Sequence, residues 1–292
     1  MARSGQNRTV DCPVCRGSDT RVYYRENGFA YRLCDGCGLL FLHPQPEEGF
    51  LEDHYQEYLS IDPGEVRAWG REMRLVNRRA AATCTRMFSQ PGRVLDVGCG
   101  YGFFLEEMLR RKWKVEGVEL SRPAAELARQ RIGAAIHSRP LEDADIRPGL
   151  DLITLFYVIE HLPRPDRTLA RAAELLKSGG ILLLRYPNSR PILSLSKTVS
   201  KKLRIMQAPS HLFDYSRDSL KILLTKAGFE PIRTTIDSHT LPSHPVAKVI
   251  SFATGSIGML AARASRNRFL LPGVSRTTLA RLCSEENRGL PR

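Results

Sequence analysis

An acidic residue and three glycines form a short run whose chemistry suits a nucleoside ligand. The residues of this run are Asp96, Gly98, Gly100 and Gly102. Glycines that follow a strand let the backbone turn sharply and approach a ligand closely. A dinucleotide site would have a small residue at position 103, where this chain has Phe103. The carboxylate of Asp96 would repel a pyrophosphate, whereas it suits a ligand with a sulfonium and an ammonium group.

A second acid follows at the end of the next apolar run. Glu119 lies twenty-three residues after Asp96. An acid at this point can accept hydrogen bonds from both hydroxyls of a ribose, as the acid after the second strand does in dinucleotide folds. The two carboxylates together predict a positively charged nucleoside ligand.

Glu160 and His161 form an acid–base pair directly after a continuous apolar run at 152–158. A general base is needed when the group that is modified is a protonated hydroxyl or amine. We therefore predict a catalytic role for this pair. The alternative is that the two side chains only fix the loop through hydrogen bonds.

Four cysteines near the N-terminus have the spacing of a zinc site. They are Cys12, Cys15, Cys34 and Cys37, and eighteen residues separate the two pairs. Each C-x2-C turn can present two thiolates to one tetrahedral ion. Because cysteine fills all four positions, the sequence predicts a closed, structural zinc ribbon; free thiols are the alternative.

Alternating strands and helices must position the acids and the glycines. Apolar runs at 94–97, 115–120, 152–158 and 181–186 predict strands, and helical patterns lie between them. This alternation predicts an α/β fold with a Rossmann-like, doubly wound, mostly parallel sheet. Ligands of such folds bind beyond the carboxyl ends of the strands. A clear seventh strand is not evident, which puts a complete seven-stranded sheet in doubt.

The pattern divides the chain into four regions. They are a zinc ribbon at 10–45, a helical connector at 46–90, the α/β domain at 91–238 and a basic C-terminal extension at 239–292. The extension is predicted to be an amphipathic helix or disordered. The long connection at 187–217 predicts either a basic amphipathic lid or a helix that packs on its own domain.

The chain is basic, with a formal net charge of +13. This charge favours an acidic partner such as RNA, an anionic membrane surface or a phosphorylated acceptor, or it reflects an arginine-rich composition alone. The sequence contains no apolar run of the ~18 residues that a spanning helix needs, and its first ten residues lack a signal core. We expect a cytoplasmic protein, with peripheral contact at the inner membrane face as an alternative.

The sequence resembles the class I S-adenosylmethionine-dependent methyltransferases over roughly residues 93 to 236. The resemblance rests on the glycine run at 96–102, on Asp151 to Leu162, on Leu175 to Gly180 and on Lys226 to Phe229. It implies S-adenosylmethionine as the cofactor and methyl transfer as the reaction.

The resemblance also implies a set of cofactor-binding residues. Asp96, Gly98 and Gly100 would lie near the methionine moiety, Glu119 at the ribose, and Leu141 with Glu142 near the adenine. The full set is Asp96, Gly98, Cys99, Gly100, Gly102, Glu119, Leu120, Leu141, Glu142, Phe156 and Tyr157.

Two narrower resemblances concern the acceptor. The cysteine region and its continuation through Phe41 and His43 resemble a bacterial group of zinc-ribbon methyltransferases associated with sugar, polysaccharide or secondary-metabolite tailoring. The Glu160-His161 corner resembles ubiquinone-type O-methyltransferases, in which a Glu-x-x-Glu-His run can bind a divalent cation. Tyr157 replaces the first acid of that run, which argues against a metal here.

Three functions follow as hypotheses. The first is methyl transfer to an oxygen, nitrogen or carbon of a small-molecule acceptor that is sugar-like, lipid-linked or a secondary metabolite. The second is methylation of ribosomal RNA or tRNA, which the basic charge favours. The third is a non-catalytic module that binds the cofactor or a protein partner.

Overall fold

A computed structural model describes most of the chain. The described residues are 10–56, 58–189, 193, 206–236, 256, 257, 260, 264, 265 and 275–284. Residues 190–192 and 194–205 of the predicted lid at 187–217, and most of the extension at 239–292, therefore lie outside them.

The described elements form two sheets and six helices. The strands are β1 (Thr20–Glu26), β2 (Phe29–Cys34), β3 (Leu40–Leu42), β4 (Arg93–Val97), β5 (Lys114–Val118), β6 (Ile136–His137), β7 (Leu150–Phe156), β8 (Leu176–Tyr186), β9 (Phe213–Asp214), β10 (Phe229–Thr235) and β11 (Arg276–Leu282). The helices are α1 (Glu48–Gln56), α2 (Pro63–Thr85), α3 (Phe103–Leu109), α4 (Arg122–Ile132), α5 (Pro165–Leu175) and α6 (Arg217–Lys226), and a short 3-10 helix spans Leu141–Asp143.

The larger sheet has the strand order β10-β11-β8-β7-β4-β5-β6. The five strands from β8 to β6 pair in parallel, and β11 pairs antiparallel with both β8 and β10. The predicted Rossmann-like, mostly parallel fold is confirmed. The doubt about a seventh strand was wrong, because β11 comes from within the region assigned to the C-terminal extension and completes the sheet. The strand was missed because its sequence, RTTLARL, carries little apolar signal.

The smaller sheet contains the cysteine region and has the strand order β1-β2-β3-β9. Asn27 and Gly28 connect β1 to β2, and both have positive φ angles, as a tight hairpin turn of the Asn-Gly type requires. Strand β9 belongs in sequence to the α/β domain, yet it pairs antiparallel with β3. We call residues 10–42 the cysteine module. Its buried side chains form one continuous core with those of the larger sheet.

The region at 46–90 contains α1 and α2. Helix α2 begins at Asp62, whose side chain accepts hydrogen bonds from Gly64 N and Glu65 N. Its buried face includes Met73, Val76, Ala80 and Cys84, which recur at the helical spacing of three to four residues. Among the described residues, no helix combines the length and the apolar composition needed to cross a membrane.

Candidate active site

A cavity of about 680 Å³ opens beyond the carboxyl ends of β4, β5 and β7. All but one of the predicted cofactor and catalytic residues line it. They are Asp96, Gly98, Cys99, Gly100, Glu119, Leu120, Leu141, Glu142, Phe156, Tyr157, Glu160 and His161. Gly102 lies behind the wall of the cavity, where it begins α3 with a φ of 79°.

The glycine turn lets the backbone pass close to the next loop. Gly98 has a φ of 70°, and both Gly98 N and Cys99 N donate to the carbonyl of Val118, at 2.7 and 3.0 Å. A Cβ atom at Gly98 would lie 2.3 Å from Cγ2 of Val158. Positive φ and lack of space therefore both require glycine at this position.

Asp96 is a buried carboxyl group at the end of β4, and 2% of its surface is exposed. The hydroxyl of Thr154 on β7 donates to its Oδ1 at 2.6 Å. Burial raises the pKa of Asp96 to about 8, against the opposing effect of the Thr154 hydroxyl, and the nearby Glu119 raises it further. A cationic ligand in the cavity would relieve this unfavourable charge, so the site fits a ligand with ammonium and sulfonium groups.

Glu119 follows β5 and is fixed by two backbone groups. Gly100 N donates to its Oε2 at 2.8 Å, and Ser121 N donates to its Oε1 at 2.9 Å. Burial raises the pKa of Glu119, while these N–H groups oppose the shift. Each oxygen keeps a second lone pair. The orientation is therefore set, and the carboxylate can still accept two hydroxyl groups.

The residues predicted near the adenine belong to the short 3-10 helix. Leu141 is buried, and the side chain of Glu142 accepts a hydrogen bond from the hydroxyl of Thr168 on α5. This contact fixes one side of the cavity to the adjacent helix. The adenine role of both residues stays a prediction.

Tyr157 has a left-handed backbone conformation, with a φ of 57°, directly after β7. Its hydroxyl accepts from Nε of Arg185 at 2.9 Å and donates to Oγ of Ser275 at 2.9 Å. Arg185 is buried. A strained backbone held by buried partners is common in functional sites. Phe156 packs beside it, with its ring 4.7 Å from that of Phe104.

Glu160 is fully buried at the inner end of the cavity. Within the described part of the chain, neither of its carboxylate oxygens has a hydrogen-bond partner. Burial raises the pKa of Glu160 to about 8, and the charge of Asp214 adds to the effect. The group is therefore largely protonated at neutral pH.

His161 is held in one tautomer by a backbone carbonyl. Its Nδ1 lies 2.9 Å from the carbonyl oxygen of Ser210 and 3.2 Å from the hydroxyl of Tyr55. A carbonyl only accepts, so Nδ1 carries the proton and Nε2 keeps its lone pair. Burial lowers the pKa of His161 to about 4, which leaves the ring neutral at pH 7.

Three residues outside the predicted site set complete this side of the cavity. The ring of His211 lies 4.7 Å from that of His161, and Tyr55 and Tyr58 contact His161 edge-on. The sequence does not single out the two tyrosines, because aromatic periodicity along a helix does not distinguish a core face from a cavity wall. The donor atoms of Glu160, His161 and His211 all lie within 4.8 Å of one another.

The four cysteines of the module meet as the spacing predicts. Sγ of Cys12 lies 3.6 Å from Sγ of Cys37, and Sγ of Cys15 lies 3.5 Å from Sγ of Cys34. A disulfide bond would measure about 2.05 Å. A tetrahedral zinc ion with Zn–S bonds of about 2.3 Å would give S–S edges of about 3.8 Å. The cluster is therefore compatible with one zinc ion.

Comparisons with known proteins agree with this geometry. A family model described as a methyltransferase domain matches residues 69–234. The ubiquinone biosynthesis O-methyltransferase of Dechloromonas aromatica (strain RCB) is 32% identical over 132 residues, which are 43% of this chain and 57% of that protein. The protein of the same description from Dinoroseobacter shibae (strain DSM 16493) is 30% identical over 172 residues, 54% of this chain and 69% of that protein. The chain thus spans little more than half the length of the first of these relatives.

Two solved structures share the fold. A chain from the complex between the Haloferax volcanii Trm112 methyltransferase activator and a methyltransferase aligns with a TM-score of 0.55 at 16% identity, covering 80% of this chain and 98% of that chain. The magnesium protoporphyrin IX methyltransferase of Synechocystis PCC 6803, with bound S-adenosylhomocysteine, aligns with a TM-score of 0.52 at 15% identity, covering 81% and 99%. Because the family model covers more than half of the sequence, the chain belongs to the methyltransferase-domain family.

Proposed function

We propose that this protein transfers a methyl group from S-adenosylmethionine to a hydroxyl oxygen of a small-molecule acceptor. The observation that carries the proposal is the fixed tautomer of His161, whose Nδ1 binds the Ser210 carbonyl at 2.9 Å. This contact leaves Nε2 able to take a proton at the cavity. An acceptor hydroxyl needs such a base, because its oxygen loses a proton as it gains the methyl group.

Asp96, Glu119 and Leu141, which we call the cofactor side, hold S-adenosylmethionine in this proposal. Asp96 faces its cationic groups, Glu119 accepts from the ribose hydroxyls, and Leu141 with Glu142 flanks the adenine. When bound, S-adenosylmethionine supplies a methyl group on a sulfonium centre. The chain then has to align the acceptor oxygen with that methyl group, and such alignment accounts for much of the rate of a displacement.

Tyr55, His161 and His211, which we call the acceptor side, face the acceptor. His161 takes the proton of the acceptor hydroxyl at Nε2. Aromatic rings of Tyr55 and Tyr58 line this part of the cavity and Trp69 also lines the cavity, which suits an acceptor with an apolar ring or tail. The relatives named ubiquinone biosynthesis O-methyltransferase support an oxygen acceptor. We propose lipid-linked, sugar-like and secondary-metabolite hydroxyl compounds as the classes to test. A structural zinc ion in the cysteine cluster is part of the proposal.

The proposal is tested first by calorimetric titration with S-adenosylhomocysteine. We expect micromolar binding to the wild type and weaker binding to Asp96→Ala and Glu119→Ala. Glu116→Gln is the matched control, because Glu116 lies on β5, three residues before Glu119, but pairs with His137, outside the residues that line the cavity. Absence of binding to folded wild-type protein would contradict the cofactor assignment.

The acceptor is tested by transfer of labelled methyl groups from S-adenosylmethionine to three probes, a polyhydroxylated aromatic compound with a lipid tail, a nucleotide-linked sugar and bulk tRNA. We expect transfer to one of the first two, and loss of that transfer in His161→Gln with unchanged S-adenosylhomocysteine binding. If His161→Gln retains full activity, the base is another group and the assignment of His161 is wrong.

RNA methylation is a second candidate because of one surface feature. Arg67, Arg71, Arg74 and Arg78 are exposed and follow one line along α2. Such a line could bind phosphates of a nucleic acid backbone. Methyl transfer to the tRNA probe, with binding that weakens steeply as salt is added, would favour this candidate over a small-molecule acceptor.

A further inference from the structure

The wall of the acceptor side is a buried segment at 206–212 that contains neither a helix nor a strand. Its Ser210 carbonyl binds Nδ1 of His161 at 2.9 Å, and the side chain of His211 faces His161. Met206, Ser210 and Leu212 are buried. Buried irregular backbone needs hydrogen-bond partners from elsewhere in the fold, because its own N–H and C=O groups do not pair in a regular ladder.

The cysteine module supplies a carboxylate to this segment. Glu26 on β1 is 1% exposed, and its Oε1 accepts from Ala208 N at 2.9 Å while its Oε2 accepts from Met206 N at 3.3 Å. The hydroxyl of Tyr24 also donates to Oε2, at 3.2 Å. Hydrogen bonds from backbone N–H groups to an ionised acceptor are stronger than neutral ones. Glu26 thus fixes the start of the segment although it lies about 180 residues away in the sequence.

The module also fixes the end of the segment. The hydroxyl of Tyr31 on β2 donates to the carbonyl of His211 at 2.8 Å. Leu42 N donates to the carbonyl of Leu212 at 2.8 Å, just before β9 joins the smaller sheet. The carbonyl that orients His161 therefore lies between two anchors that both come from the cysteine module.

We propose that Glu26 and Tyr31 are positioning residues of the acceptor side, which they serve by fixing the segment at 206–212 that orients His161 and His211. The inference rests on the proposed function of His161 as the base. It gives the cysteine module a part in the reaction beyond a structural role. The cysteine cluster lies at the end of β2 that holds Cys34, and the contacts of Glu26 and Tyr31 connect its sheet to the site.

Two conservative variants separate this role from folding. Tyr31→Phe keeps the ring and removes only the hydroxyl, which donates to the carbonyl of His211 at 2.8 Å and also contacts the carbonyl of Met206 at 3.3 Å. Glu26→Gln keeps the shape and one acceptor oxygen, but its amide group places a donor against a backbone donor. Tyr23→Phe is the matched control, since Tyr23 lies on the same module strand as Glu26 and is half-buried.

The experiment uses the full chain with ¹⁵N-labelled histidine and bound S-adenosylhomocysteine, and it follows the ring nitrogens by NMR as pH changes. His161→Gln and His211→Gln assign the two signals among the seven histidines. We expect the pKa of His161 to rise from about 4 toward the ordinary value near 6.5 in Tyr31→Phe and Glu26→Gln, as the ring loses its fixed burial. Tyr23→Phe should titrate as the wild type does.

The outcomes distinguish this inference from the proposed function. If both variants bind S-adenosylhomocysteine as the wild type does and leave the His161 and His211 signals unchanged, the positioning role is wrong and the proposed function is unaffected. If the wild type fails to bind S-adenosylhomocysteine, the proposed function itself fails. With an accepted probe, a tenfold fall in kcat at unchanged KM for S-adenosylmethionine in Tyr31→Phe and Glu26→Gln supports positioning. If these variants lose cofactor binding to the same extent as activity, general unfolding explains the loss and the positioning role is overturned.

Discussion

The cofactor side and the acceptor side of the cavity are assembled from different parts of the chain. On the cofactor side, Asp96 meets Thr154 of the adjacent parallel strand, and Glu119 meets Gly100 nineteen residues earlier. On the acceptor side, His161 meets Tyr55, 106 residues earlier, and the segment at 206–212 meets Glu26, about 180 residues earlier. Parallel strands bring their ends together by topology alone, whereas the acceptor side depends on how the cysteine module docks.

This difference suggests that the two sides can be damaged independently. Loss of the cysteine module should impair the acceptor side and spare cofactor binding, whereas a change in the glycine turn should do the reverse. The variants below break or sharpen that separation, and they begin with the change that should have the largest effect.

Removing one thiol of the cluster should unfold the cysteine module. In Cys37→Ser we expect loss of bound zinc and a drop in stability of several kcal/mol, because a structural zinc ion contributes directly to folding. S-adenosylhomocysteine binding should stay within roughly threefold of wild type, since a loss of 0.7 kcal/mol or less corresponds to that change. Zinc content by mass spectrometry, thermal unfolding and calorimetry measure the three effects.

Cys283→Ser is the matched control, because Cys283 lies outside the four-cysteine cluster. It should keep its zinc and its stability. If Cys37→Ser abolishes cofactor binding while the larger sheet stays folded, the two sides are not separable as we describe.

Gly98→Ala should damage the cofactor side most. The new Cβ would lie 2.3 Å from Val158, and the φ of 70° disfavours any side chain. Strain and overpacking together should cost about 4 kcal/mol. We expect S-adenosylhomocysteine affinity to fall on the order of a hundredfold, measured by calorimetry. Gly179→Ala is the control: its φ is 74°, but a Cβ there would meet open space, so only stability should fall.

The same contrast explains which features the sequence predicted. Asp96, the glycine turn and Glu119 were predicted because a strand, a turn and the next strand are short, regular patterns whose ends must coincide. The cysteine cluster was predicted because metal geometry dictates its spacing. Ser210 and Glu26 were not, since no local pattern indicates which backbone carbonyl or amide a distant module will contact. Strand β11 was missed because the pattern of the five parallel strands does not determine which later segment of the chain supplies the antiparallel strand beside β8.

The two sides also differ in how a buried carboxyl group is accommodated, because Thr154 donates to Asp96, whereas Glu160 has no hydrogen-bond partner for either carboxylate oxygen among the described residues. Burial raises the pKa of Glu160 to about 8, from 4.5 when unfolded. Between those values the unfolded state ionises while the folded state stays protonated, so the free energy of unfolding falls as pH rises and levels off above about 8. Glu160→Gln should remove about 5 kcal/mol of that fall.

Urea unfolding at a series of pH values between 4.5 and 9 measures the effect. Asp96 contributes a similar slope in both proteins, because its pKa is also raised to about 8, and it therefore cancels in the comparison. If the free energy of unfolding changes equally with pH in wild type and Glu160→Gln, Glu160 ionises freely in the folded protein. The description of Glu160 as buried and unpartnered would then be wrong.

Thr154→Val should produce the smallest and most local change. The variant keeps the volume but removes the hydroxyl that donates to Asp96 at 2.6 Å, a loss of about 1 to 2 kcal/mol. Because that hydroxyl stabilises the ionised form, the pKa of Asp96 should rise further above about 8, and fewer molecules will present a charged carboxylate at pH 7. Affinity for S-adenosylhomocysteine at pH 7 should therefore fall by roughly tenfold and recover as pH increases.

Thr278→Val is the control, since this buried threonine of β11 binds Tyr186 and Thr234 and does not line the cavity. It should lose similar stability without any change in affinity, and an affinity loss in Thr154→Val that does not recover at high pH would show that the hydroxyl acts through packing instead of through the charge of Asp96.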